Sequence, residues 1–271
     1  MYHQKTILIS GASSGLGRNL ALRYANEGGR IVNISRNILK MEELQTELHN
    51  INPINHLYYG ANISNYQEVK DIQTNLQQNH IYPNVIIQNA AGNFLCPFER
   101  LTENGWNSII HIVLHGSFNM YHIFGKYLIQ QKHPATFLNI STTYAKTGSA
   151  LVIPSSVAKA GVDNMMRGLA VEWSPYNMRF VGIAPGPMEG TGGASKLDPF
   201  QVFKHYNTFN NPSNRMATQD EISDLALFLT SEKASYINGE IVTIDGGEVV
   251  KNSGEFNFLT NVPFYKHLIK K

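Results

Sequence analysis

A doubly wound α/β architecture, a seven-stranded parallel sheet with helices on both faces, is predicted from three observations. Short apolar runs poor in charge recur along the chain, as strands buried on both faces do. Stretches with apolar residues at i, i+3 and i+4 lie between them, which is the pattern of crossover helices. A glycine-rich turn joins the first run to the first helical stretch. The 271 residues hold no linker, repeat or low-complexity tract, so a single domain over residues 1–271 is expected.

Taken in order, the strands are expected at Thr6–Ser10, Arg30–Ser35, His56–Gly60, Asn84–Gln88, Thr136–Ile140, Arg179–Ala184 and Glu240–Ile244. The helices are expected at Arg18–Glu27, Met41–Leu48, Tyr66–Gln78, Trp106–Gln130, Ala158–Trp173 and Glu221–Thr230. The Pro/Gly-rich stretch from Pro185 to Pro199 reads as irregular. A loop this long in a compact chain is often a lid, and a lid over about residues 185–212 is expected.

Composition narrows the function. Twenty-two Lys and Arg against 20 Asp and Glu leave a net charge of +2, too mild for a nucleic-acid binder. No apolar run reaches the roughly 18 residues of a membrane span. The single cysteine, Cys96, forms no internal disulfide or cysteine-rich metal site and suits a reducing compartment. The ten histidines show no H-E-x-x-H spacing, so no metal centre is expected. Only Tyr2 to Lys5 separate Met1 from the first apolar run, which leaves no room for a leader, and a cytoplasmic location is expected.

The turn Gly11-Ala12-Ser13-Ser14-Gly15-Leu16-Gly17 has the strand-turn-helix setting of a Rossmann-like dinucleotide site. Gly11 allows the tight turn, Gly15 lets backbone approach a pyrophosphate, and Gly17 allows close helix packing. Ser13, Ser14 and Leu16 complete a cradle in which helix N-terminal N–H groups meet phosphate charge. The second strand ends in Asn33-Ile34-Ser35-Arg36, with no carboxylate for a ribose 2'-hydroxyl. Arg36 can instead pair with a 2'-phosphate, which points to NADPH.

With Asn89-Ala90-Ala91-Gly92, Lys159, Pro185-Gly186-Pro187 and Asp245-Gly246-Gly247, this loop resembles the short-chain dehydrogenase/reductase family over essentially the whole chain. Most of that family carries a tyrosine four residues before the lysine, where this chain has Ser155. Asn89 to Phe94, Thr142 to Ser149, Ser195 to Pro199 and Ser253 to Asn257 look like the 2,4-dienoyl-CoA reductases of mitochondrial type. Those place a tyrosine fifteen residues before the lysine, the separation of Tyr144 from Lys159 (159 − 144 = 15).

The resemblance implies NADPH-dependent reduction of a 2,4-dienoyl-CoA to a trans-3-enoyl-CoA in β-oxidation of unsaturated fatty acids. It implies Tyr144 and Asn93 as donors to the thioester oxygen, with Lys159 and Ser155 completing the catalytic set. Asn62, Asn89, Ala90, Gly92, Lys159, Pro185, Gly186, Pro187 and Met188 would join the loop and Arg36 in holding the cofactor. Phe94, Thr102, Tyr144 and Lys196 would contact an acyl-CoA substrate, whereas Ser64 stands where the reductases have a CoA-binding arginine. His115 occupies the place of a helix-kinking asparagine and reads as a satisfied helix histidine. A homotetramer pairing the long helices is also implied. Two other readings stay open: another short-chain reductase acting on a 3-ketoacyl thioester or carbonyl, and a non-catalytic NADP-binding sensor or scaffold. The first lacks a tyrosine at position 155 to protonate an alkoxide.

Overall fold

The computed structural model describes residues 2–190, 208 and 211–257. Seven strands, β1 (Thr6–Ser10), β2 (Arg30–Ser35), β3 (Leu57–Gly60), β4 (Val85–Gln88), β5 (Ala135–Ile140), β6 (Met178–Pro185) and β7 (Glu240–Ile244), form one sheet. Its order is β3-β2-β1-β4-β5-β6-β7, with every neighbouring pair parallel. The order reverses between β1 and β4, and such a switch point opens a crevice at the strands' carboxyl ends.

Helices α1 (Gly15–Asn26) and α2 (Ile38–Ile51) cover one face with a helix near the C-terminus, Gln219–Thr230; α3 (Tyr66–Gln78) lies on the other face. On that second face, α4 (Glu103–Ile109), a π-helical turn (Ile110–His115) and α5 (Gly116–Gln130) run without a break. Then follow the short α6 (Tyr144–Thr147) and α7 (Ile153–Glu172); the helix at Gln219–Thr230 is α8, and α9 is Glu248–Ser253. Phe137 of β5 stacks on Phe180 of β6 at 4.6 Å beneath Trp173.

Some expected boundaries move for physical reasons. The helix expected from Trp106 begins at Glu103, because Thr102 caps it by accepting the Gly105 N–H at 3.1 Å. It is not continuously α-helical, since the π turn widens it between Ile110 and His115. The helix expected from Ala158 begins at Ile153, with Pro154 in the first turn, where its missing N–H costs nothing. The strand expected from His56 begins one residue later because that ring has other work. Its Nδ1 accepts the Ile31 N–H at 3.0 Å and its Nε2 donates to the Asn52 carbonyl at 2.9 Å. Lys196 and residues 191–207, 209 and 210 of the expected lid lie outside the described residues.

His56 is buried, and burial holds its pKa below the usual imidazole value. Only the neutral ring can accept from Ile31. The unfolded chain therefore binds more protons below about pH 6.5, and stability rises with pH through that window and falls as pH drops beneath it. His56→Phe is expected to cost about 1–3 kcal/mol at pH 7.5 by orphaning the Ile31 N–H. It should also flatten the pH dependence of the melting temperature between roughly pH 5.5 and 7.5. Thermal melts of both proteins across that range check this, and an unchanged slope would refute the assignment.

Candidate active site

One cleft of about 1260 Å³ lies over the carboxyl ends of the strands, running from the glycine loop past β4 and β5 to α9. Ser10, the last residue of β1, builds its floor. Its Oγ accepts the N–H groups of Asn89 and Ala90, each at 3.1 Å, and donates to Gln88 Oε1 at 2.7 Å. Asn89 Nδ2 in turn donates to the carbonyls of Ser10 and Gly11 at 3.2 and 3.1 Å. Gly11 turns with a φ of +73°, and a β-carbon there would lie 2.8 Å from Ala90 Cα. At Gly17 a β-carbon would meet the Gly11 carbonyl at 2.3 Å and Asn89 Nδ2 at 2.4 Å.

This cradle suits a dinucleotide. Ser14 is the N-cap of α1 yet its side chain makes no capping bond, so the first N–H groups of α1 remain available to phosphate. Gly11-Ala12-Ser13-Ser14-Gly15 also spells G-x-S-x-G, but Ser13 Oγ accepts from Ser35 Oγ at 2.8 Å, and among the described residues no histidine lines the cleft to make it a nucleophile. Arg36 lines the cleft beyond β2, joined by Lys40 in the first turn of α2. Sequence reasoning missed Lys40, although its place four residues after Arg36 was a usable signal. The double substitution Arg36→Ala with Lys40→Ala is expected to raise the Kd for NADPH by about a hundredfold or more, at 1.5–3 kcal/mol for each of two hydrogen bonds to a charged group. Affinity for NADH should hardly change; fluorescence titration of both nucleotides checks this.

Asn62 lines the cleft, but its Oδ1 is taken by the N–H and hydroxyl of Ser64 at 3.2 and 2.9 Å. Ser64 thus braces Asn62. Ala90 and Gly92 line the wall after β4, and Pro185, Gly186, Pro187 and Met188 line the wall after β6. A β-carbon on Gly186 would lie 2.8 Å from Asp245 Cα, which ties that wall to the end of β7.

At the centre, Asn93 Nδ2 donates to the Tyr144 hydroxyl at 3.2 Å, and that hydroxyl lies 3.3 Å from Ser155 Oγ. The Phe94 N–H donates to Asn93 Oδ1 at 2.9 Å, which turns the amide nitrogen toward the tyrosine. Ser156 Oγ donates to the Tyr144 carbonyl at 2.9 Å, fixing α6 against α7. Lys159 is buried and its Nζ donates to the Ile140 carbonyl. Burial pulls its pKa down to about 8, against an upward pull from Asp163.

Asp163 was missed. It lies one turn after Lys159, buried, accepting from Asn139 Nδ2 at 2.8 Å and Ser141 Oγ at 2.7 Å. Burial raises its pKa while Ser141, Lys159 and Arg167 pull it back. The i, i+4 spacing from Lys159 was the available sign.

The other expected contacts separate. Thr102 caps α4 and Phe94 packs over Gly105, and neither lines the cleft. His115 is exposed, its ring 5.0 Å from that of His111. Ile112 of the π turn faces the cleft instead. On the far wall, Glu248, Val249, Asn252 and Ser253 of α9 contribute, and burial followed by Asp245 raises the Glu248 pKa.

Known proteins share the sequence and fold of this chain. The family model described as "Enoyl-(Acyl carrier protein) reductase" matches residues 11–248. "Probable 2,4-dienoyl-CoA reductase [(2E)-enoyl-CoA-producing]" of Bacillus subtilis is 38% identical over 246 residues, 90% of this chain and 96% of that protein. "Peroxisomal 2,4-dienoyl-CoA reductase [(3E)-enoyl-CoA-producing]" of Mus musculus is 32% identical over 247 residues, 91% of this chain and 84% of that protein. The crystal structure of a short chain dehydrogenase from Bacillus anthracis superposes with a TM-score of 0.83 at 39% identity, covering 90% of this chain and 96% of that one. The chain belongs to the short-chain dehydrogenase/reductase family, alongside its 2,4-dienoyl-CoA reductases, and is an oxidoreductase that uses a nicotinamide cofactor.

Proposed function

We propose that the protein reduces 2,4-dienoyl-CoA thioesters with NADPH, giving trans-3-enoyl-CoA, in the breakdown of unsaturated acyl chains. The observation that carries this reading is the Asn93–Tyr144–Ser155 hydrogen-bond chain, with a serine where carbonyl reductases of the family need an acid. NADPH, when bound, supplies the hydride for the substrate's δ-carbon; Arg36 and Lys40 favour it over NADH. The electrons displaced by that hydride run through the conjugated system to the thioester oxygen. Asn93 Nδ2 and the Tyr144 hydroxyl donate to that oxygen where the charge develops. Lys159, with a pKa near 8, is mostly protonated at neutral pH and keeps a positive charge beneath the site. Tyr144, or a water it orders, then protonates the α-carbon. The proton lost there returns from solvent, and the 3,4 double bond remains.

Several further points belong to the same reading. The substrate's carrier is CoA, and Lys196 supplies one positive charge toward it. The subunits form a homotetramer through α5 and α7, on which Phe118, Val157 and Val171 are exposed apolar residues. Among the described residues no helix is long and apolar enough to cross a membrane. The cytoplasm is the location we propose, with Cys96 as a free thiol.

The test is NADPH oxidation with 2,4-hexadienoyl-CoA beside acetoacetyl-CoA, with product identified by proton NMR. Turnover of the dienoyl thioester to the 3-enoyl product supports the reading. Preference for the ketoacyl thioester overturns it, and a 2-enoyl product, the outcome named for the Bacillus subtilis relative, overturns α-protonation alone. NADPH binding without turnover of either substrate makes the protein a sensor.

A further inference from the structure

The catalytic cleft accounts for the thioester and the conjugated carbons, but not for what lies beyond them. Two loops leave the catalytic residues and meet again at the surface. One runs from Asn93 through Leu95 to the short 3-10 turn at Phe98–Arg100. The other runs from Tyr144 through Gly148 and Ser149, which line the cleft, to Leu151 just before α7. They are stitched together by the Cys96 N–H, which donates to the Leu151 carbonyl at 2.8 Å. At this seam three large apolar side chains stay open to solvent: Leu95 at 52%, Phe98 at 58% and Leu151 at 44% exposure.

Leu151 is unusual in a second way. Its φ is +66°, the left-handed region, where a β-carbon crowds the backbone. Glycine would fit there without strain, and glycine already stands three residues earlier at Gly148, where a β-carbon would meet nothing within 4 Å. A strained leucine kept at an exposed turn beside the catalytic residues marks a side chain that is used. An exposed apolar patch that begins two residues from cleft-lining Asn93 on one loop and two residues from cleft-lining Ser149 on the other is a binding surface by the same logic.

We infer that Leu95, Phe98 and Leu151 form an apolar lip that takes the distal alkyl tail of the substrate, making the enzyme selective for medium and long acyl chains. This rests on the dienoyl-CoA reading of the cleft. The occupant follows from continuity and chemistry. The thioester oxygen is anchored at Asn93 and Tyr144, and both loops that present those residues lead within a few residues to the lip. A dienoyl thioester longer than its conjugated part carries saturated methylenes that need an apolar surface. Among the described residues the seam between these two loops supplies one. No covalent step is involved, so the lip acts on affinity and leaves the chemistry at Tyr144 untouched.

The experiment uses the full chain loaded with NADP+ and measures binding of saturated hexanoyl-, decanoyl- and tetradecanoyl-CoA by calorimetry, so that it does not depend on turnover. Wild type should bind more tightly with length, by about fourfold for each methylene that reaches the lip, until the lip is full. Leu95→Ser, Phe98→Ser and Leu151→Gly should flatten that series while leaving hexanoyl-CoA affinity unchanged. Leu151→Gly should melt no lower than wild type, since it removes strain, which separates loss of the contact from loss of the fold.

Equal affinity for all three thioesters in wild type, or a chain-length slope that survives the substitutions, would overturn the lip. So would a change of sedimentation behaviour in Phe98→Ser with the slope intact, because the patch would then be a contact between copies. Steady-state kcat/KM with hexadienoyl- and decadienoyl-CoA completes the set. A chain-length slope in binding without dienoyl turnover would leave the lip standing and remove the reductase reading instead.

Discussion

Replacing Tyr144 with phenylalanine is expected to lower kcat for a 2,4-dienoyl thioester by about a hundredfold to a thousandfold, the loss seen when one preorganised donor to a developing oxyanion is removed. The reason lies in how little else faces that oxygen. Asn93 Nδ2 donates to the Tyr144 hydroxyl at 3.2 Å, so the two donors stand side by side at the centre of the cleft. Ser155, at 3.3 Å from the hydroxyl, can hold it in place but cannot substitute for it. The phenylalanine ring keeps the packing of α6 against α7, because Ser156 is bonded to the backbone carbonyl of residue 144 and not to its side chain. NADPH affinity should therefore stay within a factor of about two, well under 1 kcal/mol. Asn93→Ala should cost a similar factor in kcat, and the double variant less than the product of the two, since both donors serve one oxygen. Single-turnover kinetics with NADPH and hexadienoyl-CoA checks this. An unchanged rate would mean the hydroxyl faces no developing charge.

Gly17→Ala is expected to weaken cofactor binding by roughly tenfold to a hundredfold. Its β-carbon would lie 2.3 Å from the Gly11 carbonyl and 2.4 Å from Asn89 Nδ2, distances that no rotamer change relieves. Gly11 cannot yield easily, because its own N–H is held by the Ile34 carbonyl at 2.8 Å. Asn89 cannot yield without releasing two carbonyls. The loop must open, at about 1–3 kcal/mol of strain. Placed on the binding geometry, that strain weakens NADPH by roughly tenfold to a hundredfold. Thermal melts with and without NADPH read both effects: a lower melting temperature for the free protein and a smaller upward shift with nucleotide. A shift equal to that of wild type would show that the loop does not need to close around the cofactor.

Much of the fold was legible because buried parallel strands are short and apolar on both faces. Thr6–Ser10 and Val85–Gln88 could hardly be read otherwise. The π turn escaped because apolar spacing at i, i+3 and i+4 is the same whether the turn holds a regular or a widened ring. His56 was expected as the first residue of the third strand but lies just before it, because its bonds, to Ile31 and Asn52, come from tertiary contact. The site was legible in part for a similar reason. A glycine loop declares itself within seven residues, whereas Asn93 and Tyr144 are 51 positions apart and only resemblance joined them before the structure did. Asp163 and Lys40 carry chemistry visible only through their neighbours: two donors for one, the shared cleft wall for the other.

The tyrosine at position 2 carries a consequence for how this chain is made. Its buried hydroxyl donates to the Leu227 carbonyl and meets Thr230, which also receives Tyr24. Tyr2 therefore waits for a helix made about 225 residues after it, a delay on the order of ten to forty seconds at ordinary translation rates. Until then a growing chain holds two buried-to-be phenol hydroxyls without their final partner, although β1 already has β2 and β4 available on either side. The nascent chain thus carries an unfinished seam against α1 until α8 emerges and closes it, long after Ser10 and Asn89, which brace the nucleotide cradle, have been made.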